Sequence, residues 1–234
     1  MSRFSVRIPW VLLAVAELVL LAVRLRPWAE LVRLSEQGAA SYDPLVFLLV
    51  YIVVLCWVGG RRPEPFQQTL MAASGLAIPA GVLSMVAVVL AERSQPVAIL
   101  LLRCGLLAAS SLFWGAAGIG GERRTGSPRV AIVAGVWSGM ASALMVVAVL
   151  LARGFSSLNV AALASDGHLM LGDPAVDALV MVLQRSTKFL LLAPLVGGAM
   201  GLLLASAAIQ REEKKLRESE AGGIVPPRGR LRFP

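Results

Sequence analysis

One histidine, two cysteines and a charged fraction of only 15% leave this 234-residue chain with little of what most catalytic sites are made from. With His168 alone, paired histidine ligands for an intramembrane haem are impossible within the chain, and so is an HExxH zinc site. Ser/His or Cys/His nucleophile arrangements with the base at membrane depth are excluded in the same way. No Walker loop or Rossmann glycine pattern follows a strand-like segment. Cys56 and Cys104 both lie inside apolar runs and there is no CxxC, which argues against a disulfide framework and against thiol redox or metal chemistry. Both cysteines read as small buried hydrophobes. No cofactor is expected.

What the chain has in excess is apolar surface. Hydrophobic residues make up 57%, against about 45–50% in ordinary soluble domains, and the mean hydropathy is +0.77. An ordinary soluble globule is excluded. Apolar runs occur at about 9–26, 44–60, 68–92, 96–119, 128–152 and 189–209, each bounded by charge, Gly or Pro. They predict an all-α polytopic transmembrane helix bundle of about six spans, with short interfacial helices on its outer face. Pro9, Pro44, Pro96 and Pro128 fall near helix starts, where a missing N–H costs nothing, and Asp43 and Ser127 are placed to cap. The first run follows Arg3 and Arg7 as a signal peptide would. Glu17 interrupts it, however, and no small-residue cleavage site precedes Arg24, so it is expected to stay as an anchor.

The charge surplus of +8 flanks the apolar runs and is not interleaved with aromatics, which fits topology determinants and headgroup anchors and excludes nucleic acid as a partner. With six spans and both termini inside, fourteen of the 22 Lys and Arg are cytoplasmic and all four aspartates are outside. Half of those fourteen lie between Arg211 and Arg232, so the orientation leans on the tail. The chain is therefore read as a multi-pass protein of the inner (plasma) membrane. Residues 1–210 form the membrane domain and 211–234 a basic, partly disordered cytoplasmic tail whose start is a polar helix. Trp10, Trp28, Trp57 and Trp114 suit an aromatic belt, while Trp137 lies inside its helix and is expected to pack.

The segment 154–188 is too long for a turn and too short for another pair of spans. It is read as an outer cap with a short helix at 157–164 and an interfacial or re-entrant helix at 174–184. Asp166, His168, Asp173 and Asp177 in this cap form a candidate outer polar cluster, with a solvated loop as the plainer reading.

Two regular patterns remain. Helices in lipid gain little from hydrophobic association, so close contact depends on small residues. Ala131, Gly135, Gly139 and Ala143 recur every fourth residue, as do Ala193, Gly197, Gly201 and Ala205, with a shorter series at Ala73, Ala77 and Gly81. These seams are expected at the centre of the bundle, within the chain or against another subunit. The other pattern is charge at membrane depth, which by default carries a function or a partner. Glu17 and Arg103 are the two such residues well inside spans and form a candidate intramembrane polar pair. The functional expectation is a non-enzymatic structural or accessory subunit of a membrane complex, whose partners are the bilayer and other membrane subunits or further copies of the chain. The alternative is a transport or ligand-binding module with a site between helices beneath the cap.

Overall fold

A computed structural model of the chain describes residues 7–26, 42–60, 63–90, 96–164 and 174–221, all statements of structure below being made of these residues. They form six helices and no strand: α1 (Arg7–Leu25), α2 (Asp43–Val58), α3 (Glu64–Leu90), α4 (Val97–Thr125), α5 (Pro128–Ala164) and α6 (Pro174–Ala221). The starts follow the prolines in part. Pro128 opens α5, Pro44 occupies the first turn of α2 and Pro96 is the cap residue of α4. The cap of α2 is Tyr42, with no side-chain hydrogen bond, so Asp43 is the first helical residue and not the cap. Gly126 ends α4 in the left-handed region at φ 65°, the conformation that favours glycine, and its N–H donates to the Glu122 carbonyl at 2.6 Å.

Six apolar runs predict six spans, whereas four helices have the length and composition to cross a bilayer. These are α3, α4, Pro128–Gly154 of α5 and Val180–Arg211 of α6. The 16 residues of α2 rise about 24 Å, short of a hydrocarbon layer of about 30 Å. α1 has 19 residues but carries Arg7, Glu17 and Arg24 among them. A run of apolar residues marks a helix; whether that helix spans depends on where the chain turns.

α5 touches α1, α3, α4 and α6 and is the centre of the molecule. α1 and α2 pack on each other as an antiparallel hairpin, α1 leaning on α5 and α2 on α6. Successive helices alternate in direction. Arg7 donates to the Cys56 carbonyl at 3.2 Å, and Arg124 to that of Gln68 at 2.8 Å. These contacts bring the starts of α1 and α3 and the ends of α2 and α4 to one end of the bundle. The core holds Leu21, Leu48, Leu55, Leu70, Trp137, Leu144, Leu151, Leu183 and Leu190, and Tyr51.

The α5–α6 contact is the most extensive and follows the predicted small-residue seams. A methyl group added at Gly201 would lie 2.6 Å from the Ala131 carbonyl oxygen; one at Gly135 would strike the Gly197 carbonyl, and one at Gly139 that of Ala193. Ala131, Ala143, Ala193 and Ala205 are buried on the same faces. The shorter series is also internal: Ala73 and Ala77 are buried, and Gly81 abuts Met145 of α5. α4 joins through Gly118, which faces the backbone of Gly201, and Gly115, which faces Leu204.

Of the expected cap, residues 165–173 lie outside the described residues. Residues 157–164 continue α5, and 174–184 are the beginning of α6, with no break at Arg185 or Lys188. Charge at a helix surface leaves the backbone ladder intact, and Gly154 lies inside α5 against Val182. At the other end α6 runs past Gln210 to Ala221 as a polar helix, carrying a Lys214–Glu218 pair at 3.8 Å. Residues 222–234 lie outside the described residues, as do Trp28 and the rest of 27–41.

Three expectations about side chains are corrected. Cys56 and Cys104 are exposed, facing outward from the bundle where the bilayer lies. Trp114 is buried, its indole donating to Ser142 Oγ at 2.9 Å, so it ties α4 to α5 and is not a belt residue. Trp137 packs inside as expected, and Trp57 is 72% exposed.

Candidate functional site

The polar side chains inside this bundle serve mostly to tie helices together. Trp10 of α1 and Trp137 of α5 both donate to Ser74 Oγ of α3, at 3.0 and 2.9 Å. Ser84 of α3 donates to Ser110 of α4 at 3.1 Å, and Ser110 also lies 3.1 Å from the Ala80 carbonyl. Each is a small hydroxyl bonded to a group on a neighbouring helix.

The tie between α2 and α6 has a cause in the covalent structure of the chain. Pro194 lies inside α6 and has no N–H, so the Leu190 carbonyl four residues earlier has no partner in its own helix. The Tyr51 hydroxyl of α2 donates to that carbonyl at 2.6 Å. A backbone acceptor freed within a bundle is thereby satisfied from an adjacent helix.

Glu17 is the exception to this economy. It is 3% exposed, and neither carboxylate oxygen has a hydrogen-bond partner among the described residues. It lies on the buried stripe of α1 with Ala14 one turn before it and Leu21 and Leu25 after it. The buried stripe of α2, which packs against α1, is Pro44, Leu48, Tyr51 and Leu55. Glu17 stands seven residues beyond Trp10, and Leu144 seven beyond Trp137; since both indoles meet at Ser74, this puts Glu17 near the level of the buried Leu144 of α5, in a turn whose one hydroxyl, Ser142, accepts from Trp114 of α4. Ser138 Oγ of α5 is the other buried side-chain oxygen atom without a partner.

The structure does not bring Glu17 and Arg103 together. Arg103 Nε donates to the Ala87 carbonyl at 3.2 Å, in the last turn of α3, where carbonyls lack intrahelical partners and the helix dipole favours a cation. Arg7 does the same for the last turn of α2 through Cys56. The sequence signal for Arg103 was depth within an apolar run, and that depth is satisfied by a neighbouring helix end.

Asp166, His168 and Asp173 lie outside the described residues; Asp177 is in the first turn of α6, with nothing described of its side chain. No group of three or more His, Cys, Asp or Glu suited to a metal occurs among the described residues. A cavity of about 90 Å³ between α2 and α5 is lined by apolar side chains, including Val54, Val58, Ile132 and Val136. Tyr51 and Leu190–Pro194 are the site residues missed from sequence. The signal was present in Pro194, a proline in the middle of an apolar run, whose consequence is a free carbonyl four residues earlier.

No protein-family model, curated protein or solved structure matches the chain.

Proposed function

We propose that this chain is a non-enzymatic structural or accessory subunit of a membrane complex, set in the inner (plasma) membrane with both termini cytoplasmic. The observation that carries the reading is the seam joining α4, α5 and α6 at Gly118, Gly135, Gly139, Gly197 and Gly201, where backbones meet with no room for a methyl group. Such contacts make a rigid element of fixed shape and leave no passage between those helices. Ser74, Ser84, Ser110 and Ser142 and the indoles of Trp10, Trp114 and Trp137 are likewise engaged in holding helices together. Extraction in mild detergent followed by native mass spectrometry is expected to give a stoichiometric assembly with another membrane subunit or with further copies of the chain. A monodisperse monomer that a small ligand stabilises against heat would overturn this reading.

One observation favours a second reading, a transport or ligand-binding module. It is the buried carboxyl of Glu17, which no helix-to-helix tie explains. Its site lies on the α1–α2 side of the bundle.

The orientation is tested by labelling. The basic end of the bundle carries Arg7, Arg124 and Arg129 and the polar extension of α6, which supports placing that end in the cytoplasm. Since Cys56 and Cys104 are exposed, both are first replaced by alanine. In intact cells an impermeant maleimide is expected to label Ser165→Cys and spare Ser219→Cys. The reverse pattern inverts the topology.

A further inference from the structure

Among the described residues the buried side-chain groups without a hydrogen-bond partner are the Ser138 hydroxyl and the Glu17 carboxyl, and of the two only Glu17 is an acid. We infer that Glu17 is a proton-binding site on the α1–α2 side of the bundle, occupied in the packed state and emptied only when this carboxyl gains another partner. The inference rests on the ligand-binding reading above and names its ligand.

The surroundings decide which ligand fits. Glu17 is 3% exposed on the stripe of α1 that carries the buried Ala14 and Leu21, and both of its oxygens lack a hydrogen-bond donor. An unpaired carboxylate in such a setting loses its hydration and receives nothing in return, so the neutral acid is the form that the packed state holds. From α2 the titratable group facing it is Tyr51, and the Tyr51 hydroxyl proton is already committed to the Leu190 carbonyl. From α5 there is none at this level, because the charged residues of that helix, Arg129 and Arg153, stand far from Leu144. A metal cation is disfavoured by the same inventory. Magnesium or calcium takes about six to eight oxygens, and no acidic or histidine cluster stands near.

A second feature of the fold marks the same place. α6 carries Pro194 inside it without breaking, and the carbonyl this frees accepts from Tyr51, on the buried stripe of α2 that packs against α1. Charging Glu17 would place an anion beside the hydroxyl that secures α2 to α6, offering that hydroxyl a stronger acceptor than Leu190. Release of the proton is thereby coupled to the α2–α6 tie.

The test is infrared difference spectroscopy of the full chain in lipid nanodiscs, titrated from about pH 6 to about pH 11, a range wide enough for a buried carboxyl. A carbonyl-stretch band of a protonated carboxylic acid is expected at neutral pH, shifted on exchange into heavy water and lost on the alkaline side. Glu17→Gln should remove it, Glu17→Asp should keep it at a shifted position, and Glu122→Gln, at the other buried carboxyl of the described residues, should leave it untouched. Tyr51→Phe should move the titration midpoint, because it changes the one titratable neighbour. A wild-type spectrum without the band, a band that survives in Glu17→Gln, or a band that does not titrate would each overturn the inference. A titrating band in protein that carries no protons across vesicles would sustain the proton site and remove only the transport reading.

Discussion

Replacing Gly139 or Gly201 by leucine is expected to abolish the folded bundle or lower its stability by more than about 3 kcal/mol, at or beyond the top of the usual range for overpacking. Both positions stand against backbone. A side chain at Gly139 meets the Ala193 carbonyl and lies 3.0 Å from Pro194 Cα; one at Gly201 meets the Ala131 carbonyl at 2.6 Å and lies 3.5 Å from Gly135 Cα. A flexible side chain in the way can rotate aside, whereas a helix backbone can only move as a whole. Relief therefore requires α5 and α6 to separate along their length, with loss of dispersion at every seam position. Two controls separate this effect from the general cost of a large residue. Gly75 of α3 has nothing within 4 Å of an added methyl, and Val53 of α2 is 66% exposed. Gly75→Leu and Val53→Leu should each stay within about 0.5 kcal/mol of the parent. Heating in mild detergent followed by size-exclusion chromatography reads all four, and equal tolerance at the four positions would remove the seam as the organising contact.

Tyr51→Phe should cost about 1–3 kcal/mol, although it removes a single oxygen. The loss is that of a buried acceptor left without any donor, because Pro194 denies the Leu190 carbonyl its usual intrahelical N–H. The same argument predicts a coupling. In a Pro194→Ala background residue 194 supplies the missing N–H, and Tyr51→Phe should then cost less than about half as much. If the cost of Tyr51→Phe is the same with and without Pro194, the hydroxyl matters for some other reason and the account of α6 fails. The readout is thermal unfolding in detergent at fixed lipid and detergent concentration, since either solute shifts the midpoint by binding.

The correspondence between sequence and structure divides along one physical line. Residues that act through their own helix were legible. Prolines at 44, 96 and 128 mark helix starts because the N–H they lack is unneeded there. Small residues at every fourth position share one face of a helix whatever surrounds it, so the seams of α5 and α6 were visible before their partners were known. Burial of Trp137 followed from its distance from the helix end.

Facing was less legible. In a soluble helix the polar stripe marks the outside, but lipid is as apolar as the protein interior, and a uniformly apolar helix carries no such mark. That is why Cys56 and Cys104, which look like core residues, face outward, and why Trp114, near a predicted span end, lies inside. The number of spans failed for a related reason. Hydropathy marks the apolar stretch, while the lengths of α1 and α2 and the runs of α5 to Ala164 and of α6 from Pro174 to Ala221 depend on where the backbone turns.

The sequence by itself determined a membrane-compatible all-helical chain, the small-residue faces, and the presence of one carboxyl and one guanidinium deep in apolar runs. Only the tertiary structure decided their partners. It gave Arg103 the carbonyl end of α3, gave the carbonyl freed by Pro194 the hydroxyl of Tyr51, and left Glu17 buried without a hydrogen bond. Hydrogen bonding requires groups within about 3 Å, and which groups reach that distance is set by how rigid helices are arranged in space, an arrangement that no helix encodes alone.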